Sequence, residues 1–94
     1  MPAVTRLGDV CTGHGCFPSR PSVGASPTVF VNGIAVHRQG DGWDSHCCVI
    51  CHTSILSSGS GTVFADNKQV GRIGDPVACG STVAGGSGDV FAGG

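Results

Sequence analysis

Residues 46–52 read His-Cys-Cys-Val-Ile-Cys-His, two histidines enclosing three of the chain's six cysteines. Several chemistries use these side chains. The spacing Cys48-Val49-Ile50-Cys51-His52 matches covalent attachment of a c-type haem, and the same residues serve metal sites, disulfides or a dithiol redox pair. Haem attachment would need Cys48 and Cys51 together, His52 as an axial ligand, export before attachment and a large apolar pocket. With only Trp43, Phe17, Phe30, Phe64 and Phe91 as aromatics, the chain has little to line that pocket. A thioredoxin-like dithiol wants a βαβ context, which is absent here. A sulfur-rich redox or haem module therefore ranks last.

The elements that must position these residues follow from composition. The chain has 94 residues and 17 glycines, enough for one small domain with a thin core. Chains of this size often need a metal, a disulfide or a partner to hold them together. A net charge of −1 leaves no basic footprint for nucleic acid. No apolar run approaches the roughly 20 residues of a membrane helix. The N-terminus lacks the charged and apolar regions of a secretory signal, so the chain is expected to start in a reducing cytoplasm. Clustered cysteines there bind metal or do catalysis more often than they form bridges. There is no Glu and only one Lys, while glycine and β-branched residues abound, so an all-β fold is expected.

A repeat organises the chain. Residues 26–41 and 60–75 are both 16 long, open Ser-x-x-Val-Phe and close Arg-x-Gly-Asp. Each has a turn signal at its middle, Asn32-Gly33 in one and Asp66-Asn67 in the other, which predicts a tight hairpin. A third copy is split: residues 87–94 open it and residues 1–9 close it. The ends of the chain should then lie side by side, with three hairpins around a pseudo-threefold axis. In Arg-x-Gly-Asp the structural reading is the stronger one. Gly8, Gly40 and Gly74 allow a positive φ, while Asp9, Asp41 and Asp75 cap backbone amides and pair with Arg6, Arg38 and Arg72.

The metal donors follow the same period. His14 lies five residues after Asp9, His46 five after Asp41, and Cys79 four after Asp75. Threefold symmetry would bring them together near the axis, and a fourth donor would close a tetrahedral zinc site. His52 is the nearest spare histidine, with Cys51, Cys16 and Cys48 in reserve. His37, inside an outgoing strand, is expected to be exposed or packed rather than a ligand.

These ordered repeats and donors resemble the PAAR-repeat proteins over essentially the whole chain. The name motif is degenerate here, read from "IAVHRQGD", "KQVGRIGD" and "MPAVTRLGD". The resemblance implies a small cone that caps the trimeric VgrG-type spike of a type VI secretion system, one copy per trimer. It further implies a zinc near the vertex, held by residues matching His14, His46, His52 and Cys79. Membrane puncture, carriage of effector proteins, and assembly in the bacterial cytoplasm before ejection with the spike are also implied. Cys11, Cys16, Cys47, Cys48 and Cys51 lie outside the family pattern, and disulfides among them stay open. Val29, Phe30, Val31, Val63, Phe64, Val90 and Phe91 are candidates for contacts at the base or for filling the core. A phage-tail spike tip is the alternative within the structural class. A zinc hydrolase would need an exchangeable ligand and a general base; without Glu or an HExxH motif, the chain reads as a non-enzyme.

Overall fold

Asn32 and Gly33 adopt φ angles of 55° and 76°, and Asp66 and Asn67 adopt 53° and 65°. Two consecutive left-handed residues make the two-residue turn whose twist matches paired antiparallel strands. The computed structural model, which describes residues 1–93, accordingly shows β1 (Phe30–Val31) paired with β2 (Ile34–Ala35). The equivalent hairpin further along pairs β5 (Phe64–Ala65) with β6 (Lys68–Gln69). The third hairpin is assembled from the two ends of the chain. Ala3 pairs with Phe91, the Val4 amide donates to the Val90 carbonyl (2.9 Å), and the Ala92 amide donates to the Pro2 carbonyl (3.0 Å). Among the described residues there is no helix.

The repeats close a ring. Arg6 bridges Val36, Arg38 bridges Val70 and Arg72 bridges Val4, so each outgoing segment pairs with the next. On the axis itself the Thr5 amide donates to Gly71 (2.9 Å), Gly71 to His37 (2.9 Å) and His37 to Thr5 (3.1 Å). These backbone bonds replace the ladder that such short strands cannot supply. They also draw the three segments too close for a side chain at Gly71. A Cβ there would stand 2.7 Å from Leu56 Cδ2, 2.8 Å from Thr5 Cγ2 and 3.2 Å from the His37 carbonyl. Leu56 and Thr5 are both fully buried and have no room to yield. Gly71→Ala is expected to cost about 1–3 kcal/mol, read as a fall in thermal midpoint. Gly88→Ala is the control, because a Cβ at that position meets nothing within 4 Å.

At each Arg-x-Gly-Asp the glycine has positive φ: 89° at Gly8, 86° at Gly40 and 92° at Gly74. The aspartate turns back to accept the arginine amide, at 2.9 Å for Asp9, 2.8 Å for Asp41 and 2.9 Å for Asp75. The same carboxylate holds the guanidinium, with Arg38 bidentate on Asp41 at 2.8 and 2.9 Å. Each arginine pKa is raised, first by that hydrogen bond and against the pull of desolvation. The motif is a turn lock.

Beyond each Asp the chain runs to the other end of the molecule in a second hairpin. The first spans 10–21, the second is β3 (Gly42–Cys48) with β4 (Ile50–Ile55), and the third spans 76–82. They too join in a ring, through Ser22–Trp43, Leu56–Val77 and Val83–Cys11 bridges. Two small cores result. Val4, Val36 and Val70 pack with Ala65 and Ala92 in one, and Val31 and Val90 lie against it. Cys11, Trp43, Leu56, Val77 and Val83 form the other. Cys11, one of the cysteines for which a disulfide stayed open, is a free thiol buried in this core, and its place two after Asp9 is that of Trp43 after Asp41. His37 is packed. It is fully buried, donates from Nδ1 to the Gly24 carbonyl (2.7 Å) and meets Trp43 edge-on.

Candidate metal centre

β3 contains a bulge between Trp43 and His46. Residues three apart on a regular strand face opposite sides. The extra residue reverses that alternation, so both Trp43 and His46 are buried while Asp44 and Ser45 stay exposed. β4 has no such irregularity beyond that point: His46 pairs with His52, and Cys47 with Cys51. The cross-strand partner of His46 therefore shares its inner face, and both cysteines of the next pair fall on the outer, exposed face.

His14 arrives from the first hairpin, at a tight turn where its amide and carbonyl both bond Phe17 (3.1 and 2.8 Å). Cys79 arrives from the third. The ligand atoms of His14, His46, His52 and Cys79 all lie within 4.8 Å of one another. His52 Nε2 is 3.2 Å from His14 Nε2 and 2.6 Å from His46 Nε2. Tetrahedral coordination at ordinary zinc bond lengths would set such atoms about 3.3–3.6 Å apart, so small side-chain adjustments suffice.

The protonation pattern suits a cation. His46 Nδ1 lies 2.8 Å from the Pro18 carbonyl oxygen, which can only accept, so the proton is on Nδ1 and the Nε2 lone pair points inward. The His52 pKa is lowered, first by desolvation and then by the His46 and His14 rings and Arg20, which keeps that imidazole neutral and ready to donate. Three imidazoles and a thiol are the donor types that structural zinc takes. This group could bind a metal ion.

Two residues of the site escaped sequence reading. Phe17 covers the histidines, its ring centroid 4.8 Å from His14, 4.9 Å from His46 and 4.3 Å from His52. Arg20 is 2% exposed and reaches across all three hairpins. Its guanidinium donates to Cys79 Sγ (3.0 Å), the Asp44 carbonyl (2.9 Å) and the His52 carbonyl (3.3 Å). Neither residue has a counterpart in the other repeats, so periodicity could not find them. The one signal was a lone arginine between two prolines, Pro18 and Pro21, in an uncharged stretch. Arg20→Met is expected to cost about 1–3 kcal/mol in denaturant unfolding, because it removes three charge-assisted bonds from partly buried acceptors. Arg20→Lys should recover only part of the loss, since an ammonium cannot span the fork.

A family model described as PAAR motif matches residues 7–85, a span that includes all four donors, Phe17 and Arg20. Comparison with curated proteins found no significant match.

Proposed function

The chain belongs to the PAAR-motif family, and from that premise we propose that it is the tip of a trimeric β-helical spike of the VgrG type in a type VI secretion system. Its far end would be fastened by one zinc held by His14, His46, His52 and Cys79. The observation that carries this reading is the presentation of three equivalent apolar edges by a single chain. Phe30, Phe64 and Phe91 occupy matching places in the three repeats and stay 57%, 54% and 49% exposed. Val29 and Val63 flank them and are also exposed. Large apolar side chains left exposed at three matching places suit a partner site, and the end of a trimeric spike offers three unpaired strand edges that need covering.

The family is a structural one, and the donor set agrees with a non-enzymatic role. Four protein donors leave no coordination position for water, so the metal would act as a fastener. In a domain with two small cores, metal binding energy is folding energy. Synthesis in the bacterial cytoplasm, departure with the spike and transient contact with a target membrane complete the proposal. The test is to mix the protein with a trimeric spike protein and weigh the complex. One copy per trimer is expected; three copies, or no binding, would refute the cap.

A further inference from the structure

Cys16, Cys47, Cys48 and Cys51 stand outside the donor group, yet each lies within two residues of one of its histidines. Their pairing is specific. A disulfide joins Cys16 to Cys48, and a second joins Cys47 to Cys51. The first ties the position two after His14 to the position two after His46. The second ties the residue after His46 to the residue before His52. The three histidines therefore sit on one short covalent path running through both bridges.

The turn between them is under strain. Val49 alone connects Cys48 to Ile50, with φ at 69° and its side chain fully exposed. A β-branched residue in the left-handed region is unfavourable unless its surroundings hold it there. Val49 has no packing to do so, which leaves the Cys47–Cys51 bridge as the clamp that keeps His46 and His52 opposite each other. The Cys16–Cys48 bridge does the same for the His14 turn, which otherwise meets β3 only through side chains.

We propose that oxidation of these two cysteine pairs and metal binding at His14, His46, His52 and Cys79 are thermodynamically coupled. The inference rests on the metal reading above. The bridges hold the three imidazoles in place before the metal arrives, so the ordering cost is met in advance and the bridged chain binds more tightly. By reciprocity, bound metal makes the bridges harder to reduce by the same factor. Each bridge forms when two cysteine thiols pass two electrons and two protons to a small-molecule disulfide such as oxidised glutathione. One thiol sulfur attacks, a mixed disulfide forms, the second thiol displaces the remaining half, and two glutathione thiols leave per bridge. The tip is thereby looser as a set of thiols and tighter once bridged.

The test uses zinc alone and the full chain. Wild-type protein, Cys47→Ser/Cys51→Ser, Cys16→Ser/Cys48→Ser and His52→Ala are compared, all after oxidation. Zinc transfer to a chromogenic chelator should be about tenfold faster, and affinity about tenfold weaker, in each serine pair than in wild type. In the second arm, wild-type protein is equilibrated in glutathione buffers with and without saturating zinc. A tenfold coupling moves the two-electron midpoint by about 30 mV toward more reducing potentials. Equal zinc retention in wild type and both serine pairs, with His52→Ala depleted, would overturn the coupling and leave the metal reading intact. No zinc on wild-type protein would overturn the metal reading itself. If a serine pair does not fold, the wild-type midpoint decides, and a midpoint indifferent to zinc overturns the proposal.

Discussion

His52→Ala is expected to leave the protein with less than roughly a tenth of the zinc that the parent chain carries, and to lower the thermal midpoint by more than about 15 °C. His52 Nε2 lies 3.2 Å from His14 Nε2 and 2.6 Å from His46 Nε2, so its removal opens the donor group. Structural zinc contributes on the order of 10 kcal/mol to small domains, and about 1 kcal/mol moves the midpoint of a chain this size by roughly 4–8 °C. Loss of even a few kcal/mol therefore gives the stated shift. The contrast with His37 has to be read through metal content. That residue is fully buried, so His37→Ala leaves a cavity and destabilises the fold by a route of its own, and an unfolding comparison alone does not separate ligand from core. The His37→Ala chain should keep its full zinc. A parent protein that folds fully without metal, or a His52→Ala chain that retains zinc, would contradict the assignment.

Acid adds to the same loss. Burial holds the His37 pKa below its ordinary value near 6.5, against the upward pull of the Gly24 carbonyl and Asp41. Between that lowered value and about 6.5 the unfolded chain binds the proton and the folded chain does not. Stability therefore rises with pH through that window: the contribution is complete above about 6.5 and is lost as pH falls through the window toward the lowered value.

The second large effect is expected at the opposite end of the molecule. Phe30→Asp, Phe64→Asp or Phe91→Asp should each weaken docking on a trimeric spike protein by about 100-fold, while the thermal midpoint moves by only a few degrees. A buried phenylalanine contributes about 1.5–3 kcal/mol of apolar transfer, and a carboxylate forced into the same contact adds an uncompensated desolvation cost. Each ring is about half exposed in the free chain, so little of its area holds the fold together. Equal losses at the three positions would mark them as equivalent in the complex. Titration of the variants against the trimer reads the effect directly. Unchanged affinity in all three would place the contact elsewhere and remove the main support for the cap.

Much of the architecture was legible because it rests on local rules used three times. Asn-Gly and Asp-Asn pairs specify left-handed turns wherever they occur, and Arg-x-Gly-Asp closes on itself through one residue's carboxylate and another's amide. Repetition of those units at equal spacing then implied the ring. The split copy has no turn of its own; Ala3 meets Phe91 because the Arg-x-Gly-Asp segment and the Ser-x-x-Val-Phe segment on either side of the break repeat those of the intact copies.

The sequence by itself thus determined the all-β class, the three hairpins, the turn locks and the convergence of His14, His46 and Cys79 on one end of the axis. Only the tertiary structure decided that His52, and not Cys51, lies with them, because inward or outward facing on β3 and β4 depends on a bulge that spacing does not reveal. The facing of Cys47 and Cys51 followed from the same parity, and the closing of the hairpins on one another brought Cys16 to Cys48. Phe17 and Arg20 entered the site through contacts between hairpins far apart in the chain. Periodicity reports which segments repeat; which side chains meet across them is set by register and packing, and those exist only once the ring has closed.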